Sequence, residues 1–467
     1  MRCSRHEVVH SRREFLSRHA FGFGGLALAQ LRAASNPLAP KVPHFPAKAK
    51  SVIYLFMQGG PSHVDTFDPK PELSRYDGKR VPESFQSEGL SLQNLKVSEA
   101  TLMGSRRTFS RRGKSGLEIS NLFDNLATHA DDLAVIRSVY HDSFIHGPAL
   151  NLLYTGSARV GFPSVGSWVL YGLGSECDNL PAFMVMTDGT IGGRSRTSYS
   201  SGFLPAIHQG TVLRAEGAPL VNLSPPPEFS PDDQRALLDQ VGRWNRQYLE
   251  GREDDSRLEA QIANYELAFR MQTAAPGLVD ISAEPESVRR LYGLDQKPTE
   301  RFGRLCLLAR RMVERGVRFI QLISTDWDGH GECDRNHTEN ARKIDKPIAG
   351  LIADLKQRGL FEQTLLVWVG EFGRTPVMQG KDGRDHHPYG FSSWLAGGGI
   401  RGGKAIGVTD DFGFRAVEDK CHVHDLHGAM LALLGLDHKK LTYFFNGRDF
   451  RLTDVAGDSN LASRLLA

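Results

Sequence analysis

Ser51-Val52-Ile53-Tyr54-Leu55-Phe56-Met57 is an almost unbroken apolar run, closed by Gln58 and the turn residues Gly59-Gly60-Pro61. A strand covered on one face alternates apolar with polar residues. A run without that alternation predicts a strand buried on both faces, the kind that sits inside a parallel sheet. Outward from it, residues 133–139 and 183–187 are further short β-type runs. From Thr299 onward the pattern becomes regular. Phe302, Leu305, Ala309, Met312 and Val313 recur at helical intervals, residues 319–323 read as a strand, 340–358 as a helix and 364–369 as a strand again. A strand over 392–396 and a helix over 425–434 continue the series. Strands separated by helices make βαβ crossovers, so the predicted fold class is α/β: a doubly wound, mostly parallel sheet with helices on both faces.

The other segments fit around this frame. Residues 189–227 are rich in Gly, Ser and Pro and read as loop. Residues 231–269 carry Trp244, Leu249, Leu258, Ile262 and Leu267 at helical spacing and read as two helices. Together they predict an inserted lobe near 189–300 within a single domain over 51–467. Residues 443–450 surround Asn446-Gly447 and read as a hairpin added at an edge. Residues 101–116 hold four Arg and one Lys among Ser and Gly and read as a solvated loop. Gly113-Lys114-Ser115 has the end of a P-loop, but Thr108 stands where the first glycine is required, which excludes that phosphate cradle.

Composition excludes several function classes. Lys and Arg total 57 against 54 Asp and Glu. Six Arg and two acids fall within residues 1–34, so the remainder balances at 51 basic and 52 acidic side chains. Nucleic acid as the main partner is therefore excluded, because phosphate binding needs a basic surplus. Ser11-Arg12-Arg13-Glu14-Phe15-Leu16, followed by a short apolar stretch over 21–31, reads as a twin-arginine (Tat) export signal over residues 1–34. The Tat translocase is then a partner during export, and the expected location is the periplasm or outside the cell. Pro37, Pro40, Pro43 and Pro46 make residues 35–50 an extended linker. No later stretch is long and apolar enough for a membrane span after cleavage. Cys177, Cys306, Cys333 and Cys421 show no C-x-x-C or ferredoxin spacing, which argues against haem and iron–sulfur chemistry.

In open α/β sheets ligands bind beyond the carboxyl ends of the strands. The polar residues found there are carboxylates and imidazoles. Asp326, Asp328 and His330 follow the strand at 319–323. Glu371 and Arg374 follow the strand at 364–369. A later loop supplies His386 and His387, and the first strand is followed by His63 and Asp65. Any one of these alone is commonly a cap or turn former; on successive strand ends they predict a metal site. Mixed nitrogen and oxygen donors suit a zinc-like divalent ion better than magnesium. Asp326-Trp327-Asp328-Gly329 places its glycine at the fourth position, which excludes an EF-hand.

Three segments carry a resemblance: Gln58-Gly59-Gly60-Pro61-Ser62-His63-Val64-Asp65-Thr66-Phe67-Asp68, Gly370-Glu371-Phe372-Gly373-Arg374-Thr375-Pro376 and Asp385-His386-His387. Over about residues 51–436 the chain resembles the Tat-exported domain-of-unknown-function family 1501, related to the alkaline phosphatase and sulfatase superfamily. The resemblance implies an alkaline-phosphatase-like fold and one divalent ion held by Asp326, His330 and either His386 or His387. At the second metal's positions stand Gln58, Glu371 and Phe372, so that site is degraded. At the nucleophile's position, counted back from Thr155-Gly156, stands His146, so a serine or threonine ester mechanism should not operate. Two functions follow as expectations. One is an exported metal-dependent hydrolase of phosphate or sulfate esters, with Arg374 or the amides near Gly59 and Gly60 holding the anion and His146 as nucleophile, general acid or extra ligand. The other is a catalytically degenerate member that serves as a secreted or envelope binding protein.

Overall fold

The computed structural model describes residues 38–86, 96–189, 193–214, 230–249, 256–457 and 460–467. The expected export signal and the start of the linker lie outside the described residues, as do 190–192 and 215–227 of the Gly- and Pro-rich loop.

The first apolar run forms strand β1 (Ser51–Met57), with every residue buried. Its neighbours are β4 (Phe319–Ser324), with Ile53 opposite Ile320, and β5 (Thr364–Val369), with Ile53 opposite Leu366; both pairings are parallel. Beyond β4 lies β3 (Phe183–Thr187), also parallel, then a two-residue edge strand, Thr211–Val212. Beyond β5 lie β6 (Phe391–Gly397) and β2 (Leu133–Tyr140); Lys404–Ile406 and Cys421–His422 both pair with β2. The sheet is mixed and mostly parallel, as the α/β reading expects.

Alternation along β1 explains why it needs two covers. Ile53, Leu55 and Met57 face a cluster built with α5 (Lys297–Glu314) and α6 (Cys333–Gln357), including Phe302, Leu305, Ile344 and Ile348. Val52, Tyr54 and Phe56 face the other cluster, built with α1 (His146–Thr155), α2 (Val165–Leu173) and α7 (Val423–Leu433), including Leu150, Trp168, Leu426 and Met430. Each such side chain contributes roughly 2 kcal/mol on burial. That makes the central strand the most strongly specified part of the fold.

Several expectations change. Strand β6 does not continue the parallel series: it is antiparallel to both β5 and β2. The physical reason is the connection before it. Residues 370–390 contain no helix and fold back as a ribbon, Gly373–Arg374 against His386–His387, so the chain re-enters beside β5 in the opposite sense. Residues 109–112, within the segment read as loop, pair with 117–120 just beyond it as a hairpin. The hairpin Tyr443–Phe445 with Arg448–Phe450 pairs with itself and does not join the large sheet. Helix α1 and the short edge strands lack a periodic signal long enough to read. The segment read as an inserted lobe is the chain that runs between the neighbouring strands β3 and β4, through helices Pro231–Leu249 and Ser256–Val279.

His63, His208, His337 and His427 are enclosed in this body, with at most 2% exposure. Burial pushes His63, His208 and His427 down to about 3 and His337 down to about 4. The unfolded chain takes up these protons near pH 6.5, so it binds more of them than the native state below that pH. Stability is therefore full above about pH 6.5 and is lost as pH falls toward 4. Urea unfolding should show a midpoint clearly lower at pH 5 than at pH 7; an unchanged midpoint would contradict the neutral burial of these rings.

Candidate metal centre

The site begins with two turns that touch. Gly59 and Gly60 follow β1 with φ of +121° and +85°. A Cβ on Gly59 would lie 2.5 Å from the backbone nitrogen of Asp328, and one on Gly60 would lie 2.6 Å from the Phe372 ring. Only glycine allows this approach. The Trp327 amide then donates to the Gln58 carbonyl at 3.0 Å, and the Trp327 side chain is fully buried. Asp326, before it, has φ of +75°, a backbone that Asp tolerates better than most residues. Its carbonyl accepts from Asn336 Nδ2 at 2.7 Å and Asn340 Nδ2 at 2.8 Å, both on α6. This turn aims Asp328 at the sheet edge.

There Asp328 meets three imidazoles. Its Oδ2 lies 3.2 Å from His146 Nε2, and its Oδ1 lies 3.1 Å from His330 Nε2 and 3.5 Å from His386 Nε2. His330 Nε2 and His386 Nε2 are 2.8 Å apart. Ligand atoms of these four residues all lie within 4.8 Å of one another. The outer nitrogens set the tautomers: His386 Nδ1 donates to the Phe144 carbonyl at 2.8 Å, and His330 Nδ1 donates to Gln379 Oε1 at 2.6 Å. Each inner nitrogen is then left with a lone pair. Two imidazole lone pairs converge beside a carboxylate oxygen with no proton between the rings, an arrangement that a cation relieves. Donors held about 2.0–2.2 Å from one ion lie roughly 3–4 Å apart, which these separations resemble.

Buried groups hold the cluster in place. Glu371 is fully buried; its two oxygens accept from the Gly59 amide at 2.9 and 3.0 Å, and Oε1 accepts from His146 Nδ1 at 2.8 Å. Arg374 is fully buried too. Its Nε donates to the Gly60 carbonyl at 2.9 Å, and its Nη2 donates to the Gly59 carbonyl and, at 2.5 Å, to Asp328 Oδ1. Burial works against the charge on Asp328, but the hydrogen bond from His146 and the Arg374 guanidinium outweigh it and hold the carboxyl well below its ordinary range. Burial pulls His146 down, yet its bonds to Asp328 and Glu371 lift it to about 9. His386 is pushed down, by burial first.

The candidates separate into four groups. His146, Asp328, His330 and His386 come together. Glu371 and Arg374 stand directly behind them. Asp326 lies outside the cluster and lines the adjoining cavity, its Oδ2 3.3 Å from Thr325 Oγ1. The turn at Asp326 gives the cluster position to Asp328, two residues on. His386 and His387 are neighbours in a strand, so they point to opposite sides. His387 Nε2 bonds the Phe414 carbonyl, and its ring stacks on His63 at 6.0 Å. His63 Nε2 bonds the Gly413 carbonyl at 2.9 Å, and Asp65 accepts from Ser62, Ser105 and Arg384. These three are tied up inside the protein. The groups expected to hold an anion are also engaged: the Gly59 amide on Glu371, the Gly60 amide on the Met57 carbonyl and Arg374 on the turn.

The cluster opens into a cavity of about 500 Å³ lined by Gln58, His146, Leu150, Gly189, Thr325 and Asp326. Sequence reading missed Gln379 and the Phe144 carbonyl, which orient two of the imidazoles, and neither carries a motif that would reveal it. The family is now plain. The chain belongs to DUF1501, proteins of unknown function, whose model matches residues 49–464. Comparison with curated proteins gives no match. Among solved structures, the DUF1501 chain is similar to the PsFucS1 sulfatase from Pseudoalteromonas sp., with a TM-score of 0.37, 13% identity, 92% of this chain and 75% of that chain covered. It is also similar to the lipoteichoic acid synthase LtaP from Listeria monocytogenes, at TM-score 0.37, 9% identity, 91% and 80% covered. A third is the alkaline phosphatase from the Antarctic bacterium TAB5, at TM-score 0.30, 10% identity, 75% and 92% covered. Likeness at this level carries no weight about function.

Metal binding tests the geometry. Zinc titrated into the protein should bind with Asp326→Ala about as tightly as with wild type, whereas Asp328→Ala and His386→Ala should each weaken it by roughly 100-fold or more, as loss of a direct ligand would. Equal loss in Asp326→Ala would place the ligand one turn earlier than this structure does.

Proposed function

We propose that this DUF1501 protein is an exported hydrolase of phosphate or sulfate esters that works with a single zinc-like ion. One observation carries the reading: three imidazoles and one carboxylate converge at the mouth of a cavity, backed by a buried glutamate and a buried arginine. Nitrogen-rich donors of this kind favour zinc over magnesium. Position by position, Phe372 and Gln58 offer no anionic donor for a second ion, and the Glu371 oxygens already serve Gly59 and His146.

A bound divalent ion supplies Lewis-acid stabilisation of an ester oxygen and lowers the pKa of water. The chain supplies the rest. Asp328, His330 and His386 would hold that ion. Arg374 fixes the orientation of Asp328 and, being buried, does not reach the substrate. Glu371 accepts a hydrogen bond from His146 Nδ1 and favours the charged ring, whose Nε2 proton is held against Asp328 Oδ2 at the cavity wall. From there it serves as general acid for the leaving oxygen.

The test is a panel of aryl phosphate and aryl sulfate esters with zinc-loaded protein. Asp328→Ala should lose both zinc and turnover. Glu371→Gln should keep zinc and lower kcat roughly 100-fold, since it removes the negative charge that favours the protonated His146 ring. Zinc bound in full with no turnover on any ester would favour the binding-protein function instead. Export is a separate proposal, supported by Arg12-Arg13 and the apolar stretch behind them. Replacing both arginines by Lys should leave the precursor in the cytoplasm, and unchanged export would show the signal misread.

A further inference from the structure

A second cavity, of about 540 Å³, adjoins the metal cavity and shares Gly189, Thr325 and Asp326 with it as common wall. Its far side is basic. Lys297 and Arg301 stand one turn apart at the start of α5, and Arg342 and Lys343 stand side by side on α6. Three acids line it as well: Asp326 in the common wall, and Asp188 and Glu339, both engaged elsewhere. Asp188 accepts from the Thr325 amide at 2.9 Å and from Ser324 Oγ at 3.1 Å, and Glu339 accepts from Arg335 at 2.9 Å. Among the described residues, Lys297 and Arg342 have no ion pair or hydrogen bond. Unpaired cations in a concave wall focus an attractive potential for anions.

The wall between the cavities says what lies between the anionic groups. Asp326 stands there with an exposed side chain, fixed by the two asparagines of α6 that hold its carbonyl. A carboxylate at the junction repels a charged group and accepts hydrogen bonds from hydroxyls. The same helix that clamps this turn also presents Arg342 and Lys343, so the basic wall and the metal cavity keep a fixed relation.

We propose that the second cavity is a subsite for a further anionic group of the substrate, so that the protein acts on a polyol carrying two or more sulfate or phosphate groups, its hydroxyl-bearing span lying over Asp326. This rests on the ester-hydrolase reading for the first group, and the test separates the two. The probes are sucrose octasulfate and inositol hexakisphosphate, with inorganic sulfate and phosphate for comparison, each titrated calorimetrically into zinc-loaded protein. The polyanions should bind at least about tenfold more tightly than the inorganic ions, and the preference between the two probes reports whether sulfate or phosphate is favoured. Lys297→Gln with Arg342→Gln should remove about tenfold of polyanion affinity while leaving zinc content and inorganic-anion binding unchanged. Arg75→Gln with Lys79→Gln, an equal loss of charge outside both cavities, should leave polyanion affinity as it was. Wild-type affinity in the first double variant, an equal fall in the second, or no polyanion preference at all would overturn the subsite. Asp328→Ala gives the other distinction. If it loses zinc and inorganic-anion binding, as the hydrolase reading requires, polyanions should still be retained more weakly on the basic wall. If inorganic-anion binding survives without zinc, the hydrolase reading fails while the subsite stands.

Discussion

The site depends on one close approach, that of the Gly59 backbone to the backbone of Trp327 and Asp328. Two parallel strands side by side bring their carboxyl ends to one edge, but ordinary residues there would hold the following turns apart. Glycine removes that spacing. The Gln58 carbonyl can then accept from Trp327, the Gly59 amide can reach Glu371, and Arg374 can span both glycine carbonyls and Asp328. Each of these is a backbone group satisfied in a buried place where water does not compete, so the three strand ends are locked as one unit. Besides His330, on the same turn as Asp328, the imidazoles come from elements less central to the sheet, His146 from the first residue of α1 and His386 from the ribbon after β5. They approach a carboxylate already fixed.

How much of this could be read in the sequence follows the length of each signal. The seven-residue run at β1 and the alternation after Thr299 are long, and their periods settle strand and helix; the sheet follows. The antiparallel entry of β6 was not legible, because it depends on the absence of a helix between residues 370 and 390, where the composition is neutral between loop and ribbon. In the site, the strand-end location of Asp328, His330 and His386 was legible as a class. The choice among neighbours was not. His386 over His387 depends on which side of a two-residue strand faces the cavity, and Asp328 over Asp326 depends on a left-handed residue in the turn. Both are matters of backbone direction that residue types alone do not carry.

Arg374 shows the same limit from another side. An arginine after a strand end suggests an anion holder, and its chemistry would allow it. Burial decides otherwise. With 0% exposure and its donors spent on three carbonyls and Asp328, it can reach a molecule in the cavity only through the carboxylate it orients. Glu371 acts likewise, through His146. The two buried charged side chains are thus a supporting layer, and the solvent-facing layer is made of imidazole and one carboxylate.

The charge balance of these layers bears on what the cavity attracts. Arg374 is paired with Asp328 and Glu371 with His146, so each ionised group of the supporting layer meets an opposite one, and His330 and His386 contribute neutral donor nitrogens. The protein side of the site is therefore close to neutral. A divalent ion placed among such ligands keeps most of its charge unneutralised, unlike one held by several carboxylates, and its field reaches into the cavity with little to oppose it. Gln58, Phe372 and Leu150 around it add no negative charge. Asp326, which lines both cavities, and the buried Asp385, 3.7 Å from His330 Nδ1, do. With such an ion bound, the arrangement would draw an anionic group to it and discourage a second one from settling at the junction, which would leave the basic side chains of α5 and α6 as the next place where negative charge is stabilised.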